Sequence, residues 1–366
     1  MRRWPAALLL VGLLGCMDGP AATVLSAKEV GTVTQSPLIT GRDGAESGVI
    51  FGQDIWAFGD TFLSVPNAQG MGLVSNTFAT CPGLTDGGLV LTDWLDDAGS
   101  PAQLLQPTAD EEAYDLAHQL LPDGGCLETP CGARYATWPG ALVYQADAGT
   151  GLVFYFLETA APGDFNFQQL GQSIAVWDSL SSLPTRPTPE QCGESPTLLF
   201  CKDEPGFGAA AVVVGSDLFA FGCVPDGLGF DCELGKVPYL NALEKSAWLF
   251  WTGSGWSASL RQAATLFSGA SILGVFLDAY LDMWVVVYSS PLSNQVVFRT
   301  APNVTGPWSG EGNLFIANHG NQPGWTYDAL PHPELSEQNG KVFYVTYSRP
   351  TSEFGSEFAL VRIEIQ

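Results

Sequence analysis

The sequence predicts an all-β protein, a five-bladed β-propeller with a short helical insertion in its first blade. Three observations support this. Strand–turn–strand units recur five times along the 366-residue chain, no alternation of strands with helices is visible, and the last segment is able to complete a blade begun near the N-terminus. Closing such units into a ring protects the strand edges that an open sheet exposes. A pair of β-sandwiches is the competing architecture.

The repeated unit is a strand, a turn of Gly, Asp or Asn residues, and a second strand rich in Val, Phe, Tyr and Trp, as is typical of a β-hairpin. The five second strands are IWAFGDT, ending at Thr61, VFYFLET at Thr159, LFAFGCV at Val224, WVVVYSS at Ser290 and FYVTYSR at Arg349. The first unit is longer because it includes the insert, about residues 101–125, where Thr108-x-x-Glu111 is a capping box. We expect an amphipathic helix there, up to about Leu121.

The two ends of the chain have different predicted roles. The final segment, EFALVRIEI, alternates between apolar and polar residues, and we expect it to complete a blade begun by residues near Thr32–Ile39. We therefore assign residues 30–366 to the propeller domain, residues 16–29 to a tether or linker, and residues 1–15 to a signal peptide.

The N-terminal segment has the pattern of an export signal. A basic start precedes the apolar run AALLLVGLLGC, which is shorter than the roughly 20 residues of a membrane-spanning helix. The motif Leu13-Leu14-Gly15-Cys16 resembles the bacterial lipobox, in which cleavage precedes a cysteine that carries diacylglycerol. The resemblance implies a lipoprotein of the bacterial cell envelope, anchored through Cys16 to the outer membrane or cell surface. The alternative is an ordinary cleaved signal with a chance cysteine.

The composition excludes one class of partner. The formal net charge is −24, and such a surface repels the phosphates of nucleic acids. Charged residues make up 14% of the chain and aromatic residues 11%, so the chain can build a core rather than remain disordered. We expect a monomer that binds no nucleic acid.

The cysteines after Cys16 indicate disulfides rather than zinc ligands, because the chain is predicted to be exported. Each expected bond joins two cysteines that are close in sequence: Cys126 and Cys131, Cys192 and Cys201, Cys223 and Cys232. This pairing leaves Cys81 over.

The first hairpin, within GRDGAESGVIFGQDIWAFGDTFL, has an acid at each open end. Asp43 precedes the predicted first strand and Asp60 closes the second, and these two positions lie at the same end of an antiparallel hairpin. Pairing outward from a turn near residues 52–54 puts Asp60 opposite roughly residue 46. We expect both carboxylates at one mouth of the central channel, where every blade presents the same edge.

Residues of other blades are expected at this mouth as well. The candidate substrate-binding residues are Glu158, Trp138, Phe207, Tyr327, Asp328 and His332. Glu158 holds the position of Asp60 in the second hairpin, the aromatic residues come near the first strands of their blades, and Trp325 precedes the last blade. The alternatives are packing between blades for the aromatic residues, a structural role for Glu158 and a structural hydrogen bond for His332.

Two carboxyl groups on the floor of a cleft are what glycoside hydrolysis requires. One protonates the leaving oxygen, and the other activates water or attacks the anomeric carbon. Nearby aromatic residues would then offer stacking faces to sugar rings. The alternative for Asp60 is an Asx-type turn with Thr61.

Other chemistries have less support. The chain has no G-x-S-x-G elbow and no glycine-rich phosphate loop between a strand and a helix. Its histidines, His118, His319 and His332, are too scattered for a His-rich zinc site. The segment LTDWLDDAGS is better explained as a solvated acidic loop than as a calcium site. We expect neither a metal nor a cofactor.

Several segments carry a family resemblance: GRDGAESG with DIWAFGDTFL, AWLFWTGSGW, RTAPNVTGPWS, and YDALPHPEL with VFYVTYSRP. They resemble the propellers of the domain-of-unknown-function 4185 type, which include bacterial endo-D-arabinanases among the furanosidase-like glycoside hydrolases. The resemblance covers nearly all of Val30 to Gln366. It implies a five-bladed propeller in which Asp43 and Asp60 are the catalytic pair. The helical insert and the cysteine pairs depart from the arabinanase pattern.

Two functions of different classes follow. The first is a surface-tethered glycoside hydrolase that acts on a furanose-containing polysaccharide such as an arabinan. The second is a non-catalytic propeller lipoprotein that binds a glycan or a protein at the cell envelope. An enzyme needs Asp43 and Asp60 together in an open pocket, whereas a binding module needs only the aromatic residues.

The lipobox motif generates a direct prediction. Changing Cys16 to Ser removes the thiol that would carry the lipid, so the variant should move from the membrane fraction to the soluble fraction. Fractionation of cells expressing each form, followed by immunoblotting, measures this. Equal partition of wild type and variant would contradict a lipid anchor at Cys16.

Overall fold

The computed structural model describes residues 19–85, 88–121, 123–163, 166–322, 325–352 and 355–366. In these ranges the strands form five main antiparallel sheets, and their innermost strands contact one another in sequence to close a ring. The predicted five-bladed β-propeller is therefore confirmed. The predicted signal peptide and Cys16 lie outside the described residues.

The strands are numbered in chain order. Blade one contains β2 (Ile39–Ile50), β3 (Gln53–Leu63), β4 (Leu73–Val74), β5 (Thr77–Cys81) and β8 (Thr92–Asp93). Blade two contains β9 (Arg134–Gln145), β10 (Thr150–Ala160), β11 (Phe167–Trp177) and β12 (Phe200–Cys201). Blade three contains β13 (Gly206–Val214), β14 (Asp217–Asp226), β15 (Gly229–Pro238), β16 (Leu249–Trp251), β17 (Trp256–Ser257) and β18 (Phe267–Gly269).

Blade four contains β19 (Gly274–Asp278), β20 (Met283–Ser289), β21 (Gln295–Ala301) and β22 (Gly312–Ile316). Blade five contains β23 (Tyr327–Glu337), β24 (Val342–Ser352), β25 (Gly355–Ile365) and β1 (Val24–Thr34), and β7 (Gly88–Val90) and β6 (Leu84–Thr85) extend it. The described helices are α1 (Ala109–His118) and the short 3-10 segments Tyr239–Asn241, Lys245–Ala247, Leu260–Gln262 and Gln338–Gly340.

The ring closes where the two ends of the chain meet in blade five. β1 pairs with β25 in antiparallel register, with Lys28 opposite Arg362. The closing strand is thus Val24–Thr34 rather than a segment near Thr32–Ile39, and the propeller begins inside the expected linker 16–29. This strand could not be recognised from the sequence because most of β1 is exposed, so it lacks the apolar alternation of a half-buried strand.

The hydrophobic core lies between neighbouring blades. Between blades one and two, Ile55 and Phe78 pack in one cluster with Leu142 and Val153. Similar clusters join the other blades, as where Val285 of blade four packs with Val345 and Val361 of blade five. Each fully buried aliphatic or aromatic side chain contributes about 1.5–3 kcal/mol to the fold.

The three expected disulfides are confirmed, namely Cys126–Cys131, Cys192–Cys201 and Cys223–Cys232. The first lies after α1 and the second between β11 and β12. The third joins directly opposed residues of β14 and β15, so it crosses a strand pair rather than closing a loop. Cys81 is the free cysteine of the described residues, and it is buried.

The helical insert expected in the first blade follows the last strand of blade one and precedes blade two, and its helix begins with the predicted capping box. Thr108 Oγ1 accepts from the Glu111 amide, and the Glu111 carboxylate accepts from the Thr108 amide. The helix ends at His118, before the expected Leu121. The disulfide loop that follows explains this, because the amides of Glu128 and Gly132 donate to the last carbonyl groups of the helix.

Two interactions hold the insert against the propeller. Arg186 donates to both carboxylate oxygens of Glu111, at 2.6 and 2.8 Å, and both side chains are almost fully buried. The carboxylate of Asp115 accepts from the amide of Tyr135 in β9 at 2.6 Å. The insert is therefore a fixed part of the surface beside blade two. No helix in the described part of the chain is long and apolar enough to cross a bilayer.

The buried ion pair should control how tightly the insert is held. Changing Arg186 to Gln leaves the Glu111 carboxylate buried without its cation, so we expect the free energy of unfolding to fall by about 3–5 kcal/mol. Denaturant unfolding measures this. The control is Lys236→Gln, which removes a partly exposed pair with Asp217 and should cost less than about 1 kcal/mol. Equal effects of the two substitutions would contradict the assignment.

Candidate active site

The turn of the first hairpin decides how the two acids are paired. Ile50 lies opposite Gln53, so Phe51 and Gly52 form a two-residue turn, and both have positive φ, at 51° and 77°. The expected turn at residues 52–54 is therefore too late in the sequence. Arg42 lies opposite Thr61 and Gly44 opposite Phe58, with a β-bulge between these pairs. Asp60 thus lies across from Asp43 in the strand pair, rather than across from residue 46 as expected.

Asp43 is held by blade five. Tyr327, the first residue of β23, donates its hydroxyl to Asp43 Oδ1 at 2.5 Å. The pKa of Asp43 is raised to about 7, mainly because burial penalises the charged carboxylate. The hydrogen bond from Tyr327 opposes this rise, while the charges of Asp328 and Asp60 add to it. Asp43 can therefore hold or release a proton near neutral pH.

Asp60 is held by blade two instead. Arg134 donates to Asp60 Oδ2, and the indole nitrogen of Trp138 donates to Asp60 Oδ1 at 2.8 Å. Both residues belong to β9, the innermost strand of the neighbouring blade. The side chain of Asp60 thus reaches across to blade two, which does not favour the Asx turn. An ionised carboxylate is what a guanidinium and an indole N–H, both pure donors, best satisfy.

Asp328 and Glu46 add two more carboxyl groups to this region. The pKa of Asp328 is raised to about 6 by burial, and a hydrogen bond from the Gly44 amide opposes the rise. Asp328 also has a positive φ of 50°, a conformation that non-glycine residues rarely adopt and that often marks functional sites. Burial, together with the charges of Asp328 and Glu334, raises the pKa of Glu46 well above its usual value. We call Asp43, Asp60, Tyr327 and Asp328 the acid site.

A small cavity adjoins the acid site. It has a volume of about 120 Å³ and is lined by Tyr327 and Asp328, by the aromatic rings of Trp325 and Phe230, and by serines of blade four. Trp325 is 46% exposed, so part of its side chain is available to a ligand. The cavity is smaller than the roughly 300–1,000 Å³ of a typical ligand pocket, which suits a single small ring rather than a whole ligand.

Two of the predicted substrate-binding residues are fully buried, where no ligand can contact them. Phe207 is fully buried and packs against the rings of Phe200, Trp248 and Phe250. Phe207 therefore belongs to the core. This agrees with the alternative stated above, in which the aromatic residues pack between blades. The sequence was misleading here because an aromatic residue at a blade edge has the same pattern whether it points into a cleft or between sheets.

His332 is also fully buried. Its two ring nitrogens lie 2.8 Å from Ser47 Oγ and 2.7 Å from Thr346 Oγ1, and its ring stacks on Trp56 with centroids 3.9 Å apart. A histidine with both nitrogens bonded and one face covered has no group left for substrate. His332 is therefore a structural residue between blades five and one, and we remove it and Phe207 from the candidate site.

Glu158 is 4% exposed, and its Oε2 atom has no hydrogen-bond partner in the structure. Burial raises its pKa to about 8, so the side chain is neutral at neutral pH. Trp138 is half-buried and packs edge-on against Phe167 with centroids 5.2 Å apart. Of the predicted residues, the structure thus brings Trp138, Tyr327 and Asp328 together with the two acids.

Arg134 is a site residue that the sequence reasoning missed. Arginine and lysine together account for only 14 residues, and Arg134 stands at the start of an innermost strand, next to the predicted mouth. The rarity of basic residues was the feature of the sequence that could have identified Arg134. Glu46 was missed because its acidic neighbours come from another blade. In the described part of the chain, no three His, Cys, Asp or Glu side chains are placed to hold a metal ion.

Comparison with known proteins supports the fold and the family resemblance. Residues 184–352 match the model of DUF4185, a domain of unknown function. The resemblance seen in the sequence is thereby confirmed for this segment, which spans blades three and four and much of blade five. No curated protein sequence matches the chain.

Two solved structures are similar over most of the chain. A protein from Bacteroides ovatus matches with a TM-score of 0.60 and 15% identity, over 92% of this chain and 87% of that one. Zg3597, a family 117 glycoside hydrolase of the marine bacterium Zobellia galactanivorans, matches with a TM-score of 0.50 and 9% identity, over 93% and 90% of the two chains. At these identities the likeness establishes a shared propeller fold.

The Tyr327 hydrogen bond should tune the proton affinity of Asp43. Changing Tyr327 to Phe removes a donor that favours the charged carboxylate, so we expect the pKa of Asp43 to rise above its value of about 7. Carbon-13 NMR titration of the aspartate carboxyl groups measures the change. The control is Tyr344→Phe, because Tyr344 donates to Glu337 and not to the acid site. An unchanged or lower Asp43 pKa in the Tyr327 variant would contradict the assigned contact.

Proposed function

We propose that this protein is a glycoside hydrolase that cleaves a furanose-containing polysaccharide, such as an arabinan, at the acid site. We further propose that it acts as a lipoprotein of the bacterial cell envelope, tethered through Cys16. The shared propeller fold supports the first proposal in general terms, since one of the similar structures is a glycoside hydrolase. The lipobox motif supports the second.

The observation that carries the proposal is the unequal environment of the two acids. Asp43 is largely shielded from water and receives a single hydroxyl hydrogen bond, whereas Asp60 is held by a guanidinium and an indole N–H. Two neighbouring carboxyl groups whose surroundings favour different protonation states are what glycosidases use as acid and base. A pair of turn-forming or purely structural acids has no need of such a difference.

We propose a different role for each acid. Asp43, with a pKa of about 7, holds the proton that passes to the glycosidic oxygen as the bond to the anomeric carbon breaks. Asp60, paired with Arg134, is the carboxylate that attacks the anomeric carbon or removes a proton from the attacking water. In the first case water then releases the sugar from Asp60, and Asp43 takes the proton of that water. In the second case Asp60 gives the proton it took from water to solvent, and Asp43 takes up a proton from solvent.

The surroundings favour a neutral substrate. Asp328 lies near Asp43, and the chain as a whole has a formal net charge of −24, so an anionic sugar would be repelled. The exposed ring of Trp325 offers a stacking face in the small cavity beside Tyr327. A neutral sugar ring bound there would lie next to the acids.

The pair of acids gives the decisive test. Asp43→Asn and Asp60→Asn keep the side-chain shape but remove the proton chemistry, so each should lower the rate of reducing-end release from arabinan by at least about a hundredfold. Thermal unfolding should show that both variants remain folded. The control is Asp217→Asn, an acid at the turn between β13 and β14 that pairs with Lys236.

Activity that survives in both variants would exclude Asp43 and Asp60 as the catalytic pair. If the wild type binds arabinan but cleaves neither arabinan nor related polysaccharides, the non-catalytic glycan-binding propeller is the correct function. The anomeric form of the first product, followed by proton NMR, distinguishes attack by Asp60 from attack by water.

A further inference from the structure

We infer that the helical insert forms one wall of a second binding site, a groove that holds a neutral polysaccharide chain on its way to the acid site. The groove lies between α1, the loop 64–72 after β3, and the start of β9. We call it the insert groove. The choice of ligand rests on the proposed function, whereas the groove itself is a feature of the structure.

The size of the insert groove exceeds what one sugar needs. Its volume is about 1150 Å³, above the roughly 300–1,000 Å³ of a pocket for a small ligand. It is open to solvent, so a polymer can enter it from the protein surface. A cavity of this size is suited to several consecutive sugar residues.

One residue of the insert groove also contacts the acid site. Arg134 lines the groove and also donates to Asp60. Phe62 and Leu63, which follow Asp60 in β3, line the groove as well. A chain lying in the groove therefore approaches the acids from the side of Asp60, while the cavity at Trp325 lies on the side of Asp43.

The lining is suited to a neutral hydroxyl-rich ligand. It contains several side-chain amides, among them Asn67, Gln103 and Gln119, which can both donate to and accept from hydroxyl groups. Among the described residues that line the groove, the one cation is Arg134, and it is already paired with Asp60. Glu112 and Asp115 add negative charge to the lining. An anionic polymer is therefore disfavoured, and a basic peptide is the competing ligand.

The wall formed by the insert is rigid enough to recognise a ligand. The Glu111–Arg186 pair and the Asp115–Tyr135 hydrogen bond fix α1 to the propeller, and the Cys126–Cys131 disulfide closes the loop that caps the helix. The side-chain amide of Gln119 donates to the carbonyl of Gln69 at 3.4 Å, so the insert and loop 64–72 meet across the groove. A preformed site loses less entropy when it binds a chain.

The test separates binding in the groove from catalysis. In an Asp43→Asn background, which prevents hydrolysis of the probe, the double change Gln103→Ala and Gln119→Ala should weaken binding of soluble arabinan about tenfold. Binding of an arabinobiose unit should not change, because a disaccharide reaches only the acid site. The matched control is Gln295→Ala, an exposed amide on blade four outside the groove. Calorimetry measures the affinities, and equal thermal midpoints show that the variants are folded.

Each outcome decides between the proposals. Unchanged arabinan binding in the double variant, or no binding by the parent protein, overturns the insert groove as a polysaccharide site. Binding of polylysine that is lost in Glu112→Gln, with arabinan binding insensitive to the two glutamines, replaces it with a site for a basic peptide. If the wild type releases no reducing ends but the double change at Gln103 and Gln119 weakens arabinan binding, the hydrolase proposal is wrong. The insert groove is then still confirmed as a polysaccharide-binding site.

Discussion

The pairing of β1 with β25 is the constraint on which the rest of the structure depends. Because the first strand completes the last blade, blade five is held beside blade one and cannot open at its edge. The contact is reinforced where Ser356 Oγ exchanges hydrogen bonds with the amide and the carbonyl of Arg42, both at 2.8 Å. Arg42 directly precedes Asp43, so ring closure also fixes the backbone of the acid site.

Burial of charge gives the site its chemical character. The protein has 38 acidic residues and 14 lysines and arginines, so most of its acids cannot have a basic partner of their own. Some acids have a cation as partner, as Asp60 has Arg134 and Asp93 has Arg42. Where none is supplied, as for Asp43, burial favours the protonated form. Because basic residues are scarce, one mouth of the propeller contains both an acid with a cationic partner, Asp60, and an acid without one, Asp43.

The first hairpin illustrates how far sequence reasoning reached. That Asp43 and Asp60 share one end of the hairpin followed from antiparallel pairing alone. Their register did not, because it depends on whether the turn is centred on Phe51 and Gly52 or lies further along, and a positive φ at Phe51 is not visible in the sequence. The roles of Phe207 and His332 were equally hidden, since burial depends on which sheet packs against each residue.

The sequence by itself determined the repeated hairpins, the capping box of the insert and the short disulfides, because each depends on residues close together in the chain. Only the tertiary structure decided that β1 closes the ring, that Tyr327 contacts Asp43, and that Arg134 contacts Asp60. These contacts join different blades. They depend on how the sheets pack around the channel, and no local pattern of residues encodes that arrangement.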